Sequence, residues 1–179
     1  NYGGLLYALG RLEAARRELE AAVSIDPAYA SAHNNLGAVY GKLGRFEDEI
    51  ASYREAVRLD PDYTDVHHNL GLALLKRDAI EQGESEMRRV LEIDRRYAAA
   101  YTNLGRSLLA RDQGQEALDL LETGAAAAPD DPQLHATLGE AFLATGQRDK
   151  AIGAFDRSLV LDPDQPALRR RVEELRSAP

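Results

Sequence analysis

The segment Ser31–Tyr63, SAHNNLGAVYGKLGRFEDEIASYREAVRLDPDY, decides the fold because it is one copy of a unit repeated at a fixed step. Gly3, Gly37, Gly71, Gly105 and Gly139 stand 34 residues apart. Pro27 and Pro61, then Pro129 and Pro163, keep the same step, with Arg95 where the intervening proline would fall. Self-similarity at a period of about 20–50 residues marks a stacked repeat array.

Within Ser31–Tyr63 two apolar series recur at helical spacing. Ala32, Leu36, Val39, Tyr40 and Leu43 form the first, and Phe46, Ile50, Tyr53, Ala56, Val57 and Leu59 the second. Gly44 sits between them, where a helix C-terminus favours a positive φ. Asp60-Pro61 closes the second helix, because proline lacks the backbone donor and disfavours helix in the residue before it. The same step predicts helix pairs at 30–43 and 46–59, 64–77 and 80–93, 98–111 and 114–127, and 132–145 and 148–161. No alternating β pattern or Asn-Gly hairpin signal interrupts them, so the chain is expected to be all α.

The 179 residues are 44% apolar and 29% charged, with a net charge of −8. An acidic chain argues against general nucleic-acid binding, which needs a basic stripe to neutralise phosphates. Membrane insertion is not expected, since no apolar run approaches the roughly 18 residues of a span. With no cysteine, disulfides and thiolate metal sites are excluded. No cofactor is expected. Serines and threonines lack a registered histidine and acid, and the glycines are spaced by the repeat rather than clustered into a phosphate loop. Catalysis by this chain is therefore not expected.

These landmarks resemble the tetratricopeptide repeat family, whose 34-residue unit carries a large residue, Leu-Gly, an aromatic, a small residue, a second aromatic and a proline. His33, Leu36-Gly37, Tyr40, Tyr53, Ala56 and Pro61 match in the second repeat, and His135, Leu138-Gly139, Phe142, Ala151, Phe155 and Pro163 in the fifth. The resemblance implies a right-handed α-α superhelix. Residues 1–164 would form the array, with repeats at about 1–29 (partial), 30–63, 64–97, 98–131 and 132–164. Residues 165–179 would form a capping helix with Leu168, Val172 and Leu175 on one face. Asn1 falls at the sixth repeat position, so the first helix is expected to lack an opening turn supplied upstream. Two departures stand out. Glu49 replaces the small residue found as Ala15, Ala117 and Ala151, and is expected to reach solvent or an arginine such as Arg45 or Arg54. The third repeat has Gly83 there, with Asp78 for the turn glycine and Arg95 for the proline, and is expected to be the least regular.

In a tetratricopeptide array, positions 2, 5, 6, 9, 12 and 13 of the first helix would line a concave, peptide-binding groove. Position six reads Asn1, Asn35, Asn69, Asn103 and Thr137; position five supplies Asn34, His68 and Thr102; position nine supplies Arg106 and Glu140; position thirteen supplies Lys42 and Lys76. Asparagine amides can donate to and accept from an extended peptide backbone whatever its sequence. Lys42, Lys76 and Arg106 would favour an acidic segment or a C-terminal carboxylate. The pattern resembles the asparagine ladder of O-linked N-acetylglucosamine transferases. The alternative is that these asparagines only bond neighbouring helices. The family's carboxylate clamp for chaperone C-termini needs a lysine at position five, which no repeat has.

The candidate groove set is thus Asn34, Asn35, Lys42, His68, Asn69, Lys76, Asn103 and Arg106, with a protein or peptide as partner. Two further roles stay open. One is self-association through the incomplete first repeat; the other is service as the targeting region of a larger enzyme such as a glycosyltransferase. His33, His67 and His135 share position four on the buried arc and are expected to pack, since stacked helices lie too far apart for two imidazoles to share a metal. Glu47-Asp48-Glu49 and the Glu84, Glu86 pair lie on second helices, where a solvated outer face is the expectation for most of them.

Overall fold

The computed structural model describes residues 2–177, and among them there are eleven helices and no strand. They are α1 (Tyr2–Ala8), α2 (Leu12–Ile25), α3 (Ala30–Lys42), α4 (Phe46–Leu59), α5 (Thr64–Leu75), α6 (Ile80–Ile93), α7 (Ala98–Ala110), α8 (Gly114–Ala127), α9 (Pro132–Ala144), α10 (Arg148–Leu161) and α11 (Pro166–Ser177). The second helix of each pair matches the expected span, and the first ends one to two residues early. Asn1, the expected first rung of the asparagine ladder, lies outside the described residues.

The chain forms two compact halves, residues 1–93 and 94–179. In the N-terminal half, α1 packs on α2, α3 on α4 and α5 on α6, with α2 against α3 and α4 against α5. In the C-terminal half, α7 pairs with α8 and α9 with α10, α8 and α7 both meet α9, and α11 covers α10.

One contact is repeated in every pair. The glycine at position eight lets the first helix approach the second so closely that a Cβ there would overlap a bulky side chain. That side chain is Leu19, Tyr53, Met87, Leu121 and Phe155 in turn. All five are buried. An apolar side chain of this size, once fully buried, contributes about 1.5–3 kcal/mol. The glycines therefore serve packing, and the period follows from it.

The turns between paired helices are chemically varied but conformationally uniform. Gly10, Gly44 and Gly146 have φ of 72°, 73° and 75°, while Asp78 and Asp112 hold the same left-handed turn at 57° and 58°. Aspartate tolerates this region better than most side chains. The third repeat thus keeps its turn without glycine, and α5 is shortened to 12 residues against 13 in α3, α7 and α9.

The turn that lacks the proline keeps the local hydrogen bond of the turns that have it. Asp26, Asp60, Asp94 and Asp162 each accept a bond from the N–H two residues on, at 2.8–3.3 Å. Arg95 sits inside the Asp94 turn, which forms without proline.

Candidate functional site

The sequence places Asn34 and Asn35 in the first helix of the second repeat, with Lys42 at its last turn. Asn69 and Lys76 stand one period later, on α5 and at its C-terminal end. The structure brings these five together in one open groove of about 620 Å³ in the N-terminal half. Tyr7, Ala38, Gly41, Phe46, Glu49, Tyr53 and Arg77 complete its lining. Burial pushes the Tyr53 hydroxyl well above the usual tyrosine range, and the Glu49 carboxylate adds to the shift. Tyr53 is a neutral wall.

The amides are partly engaged with each other. Asn69 Nδ2 donates to Asn34 Oδ1 at 3.1 Å, joining positions six and five of adjacent repeats. This is the neighbour-helix bonding that the sequence left as an alternative to ligand contact. It fixes the orientation of both side chains while leaving the second Asn69 N–H outside that bond. Lys42 and Lys76 are exposed, and neither has a carboxylate partner among the described residues.

The other expected groove residues are placed differently. His68 is half-buried and lies outside the groove lining; burial pulls its pKa below the ordinary histidine value, with Asp65 opposing. Asn103 and Arg106 belong to the C-terminal half, where Arg106 Nη2 donates to Gln133 Oε1 at 2.9 Å. Thr137 does not continue the ladder. It is 2% exposed, and its hydroxyl donates to the Gln133 carbonyl within its own helix. Thr102 is buried as well. Glu140 accepts from Arg171 of the capping helix at 2.8 Å.

Glu49 reaches neither Arg45 nor Arg54. Its Oε2 lies 2.8 Å from Arg77 Nη2, and only 12% of the side chain is exposed. Arg45 instead pairs with Asp48, and Arg54 donates to Gln82. Arg77 also donates from Nη1 to the Ala73 carbonyl at 2.7 Å and stacks its guanidinium 4.0 Å from the centre of the Phe46 ring. Its Nε is buried without an acceptor among the described residues.

What admits Glu49 is Gly41, whose hydrogen faces the carboxylate; a Cβ there would overlap it. Position twelve is large in the other repeats (Tyr7, Leu75, Leu109, Leu143) where position twenty is small (Ala15, Gly83, Ala117, Ala151). The second repeat inverts the pair. That inversion was the available signal for Glu49.

The outer-face expectation also fails for two glutamates. Glu84 is 3% exposed, with Arg88 at 3.5 Å, and Glu86 Oε2 lies 2.6 Å from His67 Nδ1. The position-four histidines share a structural task. His33, His67 and His135 each place Nε2 within 2.8–3.0 Å of the carbonyl of the proline six residues earlier. Among the described residues no three His, Cys, Asp or Glu side chains group as metal ligands, and no helix is long and apolar enough to cross a membrane.

Antiparallel helix pairs of 34-residue period, packed through a position-eight glycine and opening a polar groove, define an all-α helical repeat protein. The chain belongs to the tetratricopeptide repeat family: residues 3–44 and 42–77 match one model of the TPR repeat, and residues 74–141 and 108–172 match a second tetratricopeptide repeat model. No curated protein sequence matches significantly.

Among solved structures, the crystal structure of MamA is similar with a TM-score of 0.80 at 23% identity, covering 91% of this chain and 95% of that one. YrrB, described as a TPR protein with an unusual peptide-binding site, is similar with a TM-score of 0.75 at 21% identity, covering 97% and 89%. TTC0263, a thermophilic TPR protein of Thermus thermophilus, gives 0.69 at 25% identity, covering 97% and 95%. The protein has the fold of a protein-interaction scaffold.

Proposed function

We propose that this protein is a non-catalytic scaffold that binds an extended segment of a partner protein in the groove of its N-terminal half. The observation that carries this reading is the gathering of Asn34, Asn35 and Asn69 with two exposed lysines, Lys42 and Lys76, along one open groove. Asn35 and Asn69 bond the ligand main chain, and Asn34 orients Asn69 from the neighbouring repeat. Lys42 and Lys76 read ligand charge. Asn103 and Arg106 offer the same two kinds of contact on the C-terminal half.

Anisotropy of labelled peptides tests the reading. Asn69→Ala is expected to weaken a genuine ligand about fivefold, the value of one net hydrogen bond near 1 kcal/mol. Lys76→Glu is expected to weaken an acidic ligand more. Unchanged affinity in both variants would sink the groove.

A second reading has one observation behind it. Tyr2, Leu5 and Leu9 are 60%, 56% and 64% exposed and recur along one side of α1 and its end. An apolar stripe of this kind suits a second copy of the chain. Sedimentation at several concentrations, comparing the parent with Leu5→Glu, tests it; a parent that stays monomeric throughout rejects it.

A further inference from the structure

The inverted pair Gly41 and Glu49 changes what the groove displays. In the third repeat the same two positions hold Leu75 and Gly83, with Leu75 packed on the glycine. In the second repeat a carboxylate occupies that place, and it recruits an arginine from 28 residues away. Three groups from two helices then hold the Arg77 guanidinium: Glu49 and the Phe46 ring from α4, and the Ala73 carbonyl from α5. A long side chain otherwise loses rotamer freedom when a ligand fixes it. Here most of that loss is taken on folding.

The groove then carries three cations, Lys42, Lys76 and Arg77, against one anion, Glu49. Its charge is opposite to that of a chain at −8 overall. A guanidinium has five N–H donors in a plane; with Nε buried and one bond made from each terminal nitrogen, one N–H remains on each of Nη1 and Nη2 of a side chain that lines the groove. On an extended ligand, side chains of alternate residues share a face about 7 Å apart, so one strand can present several carboxylates to these groups.

We propose that the groove is selective for an acidic extended peptide, with Arg77 contacting the ligand carboxylates and Glu49 acting as the positioning residue that holds the guanidinium in place. This rests on the groove reading above. It separates Glu49 from a purely structural role, in which the Glu49–Arg77 pair would staple two repeats and affect stability alone.

The test uses the whole chain and two fluorescein-labelled peptides, one of four Glu-Gly repeats and one of four Gln-Gly repeats. The parent is expected to prefer the glutamate peptide at least about tenfold, the scale of one charge-assisted bond. Arg77→Gln is expected to remove most of that preference. The double swap Gly41→Leu with Glu49→Ala restores the residue sizes of the other repeats. It is expected to keep helicity and Tm while lowering the preference about three- to fivefold, because Arg77 is released. A parent with no preference overturns the proposal. So does a preference that survives both Arg77→Gln and the double swap while Lys76→Glu abolishes it, although the groove itself would then stand. If Asn69→Ala and Lys76→Glu also leave both peptides unaffected, the groove reading fails with it.

Discussion

The pairs α3–α4 and α9–α10 meet the same packing demand with opposite residues. In α9–α10 a leucine, Leu143, occupies position twelve and the fully buried Ala151 position twenty. In α3–α4 the large group comes from the other helix: Gly41 yields its space to Glu49. The first arrangement sets two apolar residues of one repeat at these positions. The second is incomplete without Arg77 of the following repeat. A repeat that satisfies itself can tolerate changes next door, whereas one that borrows a partner couples its neighbour to its own groove.

The largest expected effect comes from forcing the borrowed chemistry onto the self-sufficient pair. Ala151→Glu puts a carboxylate at a fully buried position, and should cost about 3–5 kcal/mol, read as a lower urea midpoint. Glu49→Ala should cost less, about 1–3 kcal/mol, since it strands the part-buried Arg77 guanidinium. Adding Gly41→Leu should return most of that loss, and failure to do so would break the size-exchange account.

A smaller contrast lies at the helix starts. Asp131 caps α9 by accepting from Leu134 N at 2.7 Å, whereas Tyr29 gives α3 no side-chain bond. Asp131→Ala should therefore cost about 1 kcal/mol, by the same urea measurement.

The smallest effect concerns pH. Burial lowers the His68 pKa, so the unfolded chain binds a proton that the folded chain resists. Stability should fall as pH drops below the unperturbed value of about 6.5. His68→Asn should make that decline shallower in thermal melts between neutral and acidic pH.

Almost all of the fold was legible because the constraint generating it is periodic. The position-eight glycines and the position-twenty-four side chains they admit recur every 34 residues, so a single sequence contains several copies of the same message. That Asn34, Asn35, Asn69, Lys42 and Lys76 share one opening was legible in part for the same reason, from helix direction taken together with the family resemblance. What misled was sorting each helix by itself. Glu84 and Glu86 look outward on a lone helical wheel, yet their partners come from another helix or another turn, and Glu49, already out of place among small residues, takes its arginine from the next repeat. Thr137 breaks the ladder because its short hydroxyl bonds a carbonyl of its own helix. The exchange of sizes between positions twelve and twenty was present in the letters. It becomes visible only when two columns of the repeat are read together.

The polar contacts that bridge repeats also share a short reach. Asn69 to Asn34, Arg77 to Glu49, Arg89 to Asp62 and Arg157 to Asp130 are separated by 27–35 residues, about one period. A chain wired this way has no distant closure to wait for, so loop-closure entropy places little delay on its folding. Damage should spread by the same rule, from a failed rung to the adjoining repeat, as in a row of weakly coupled switches.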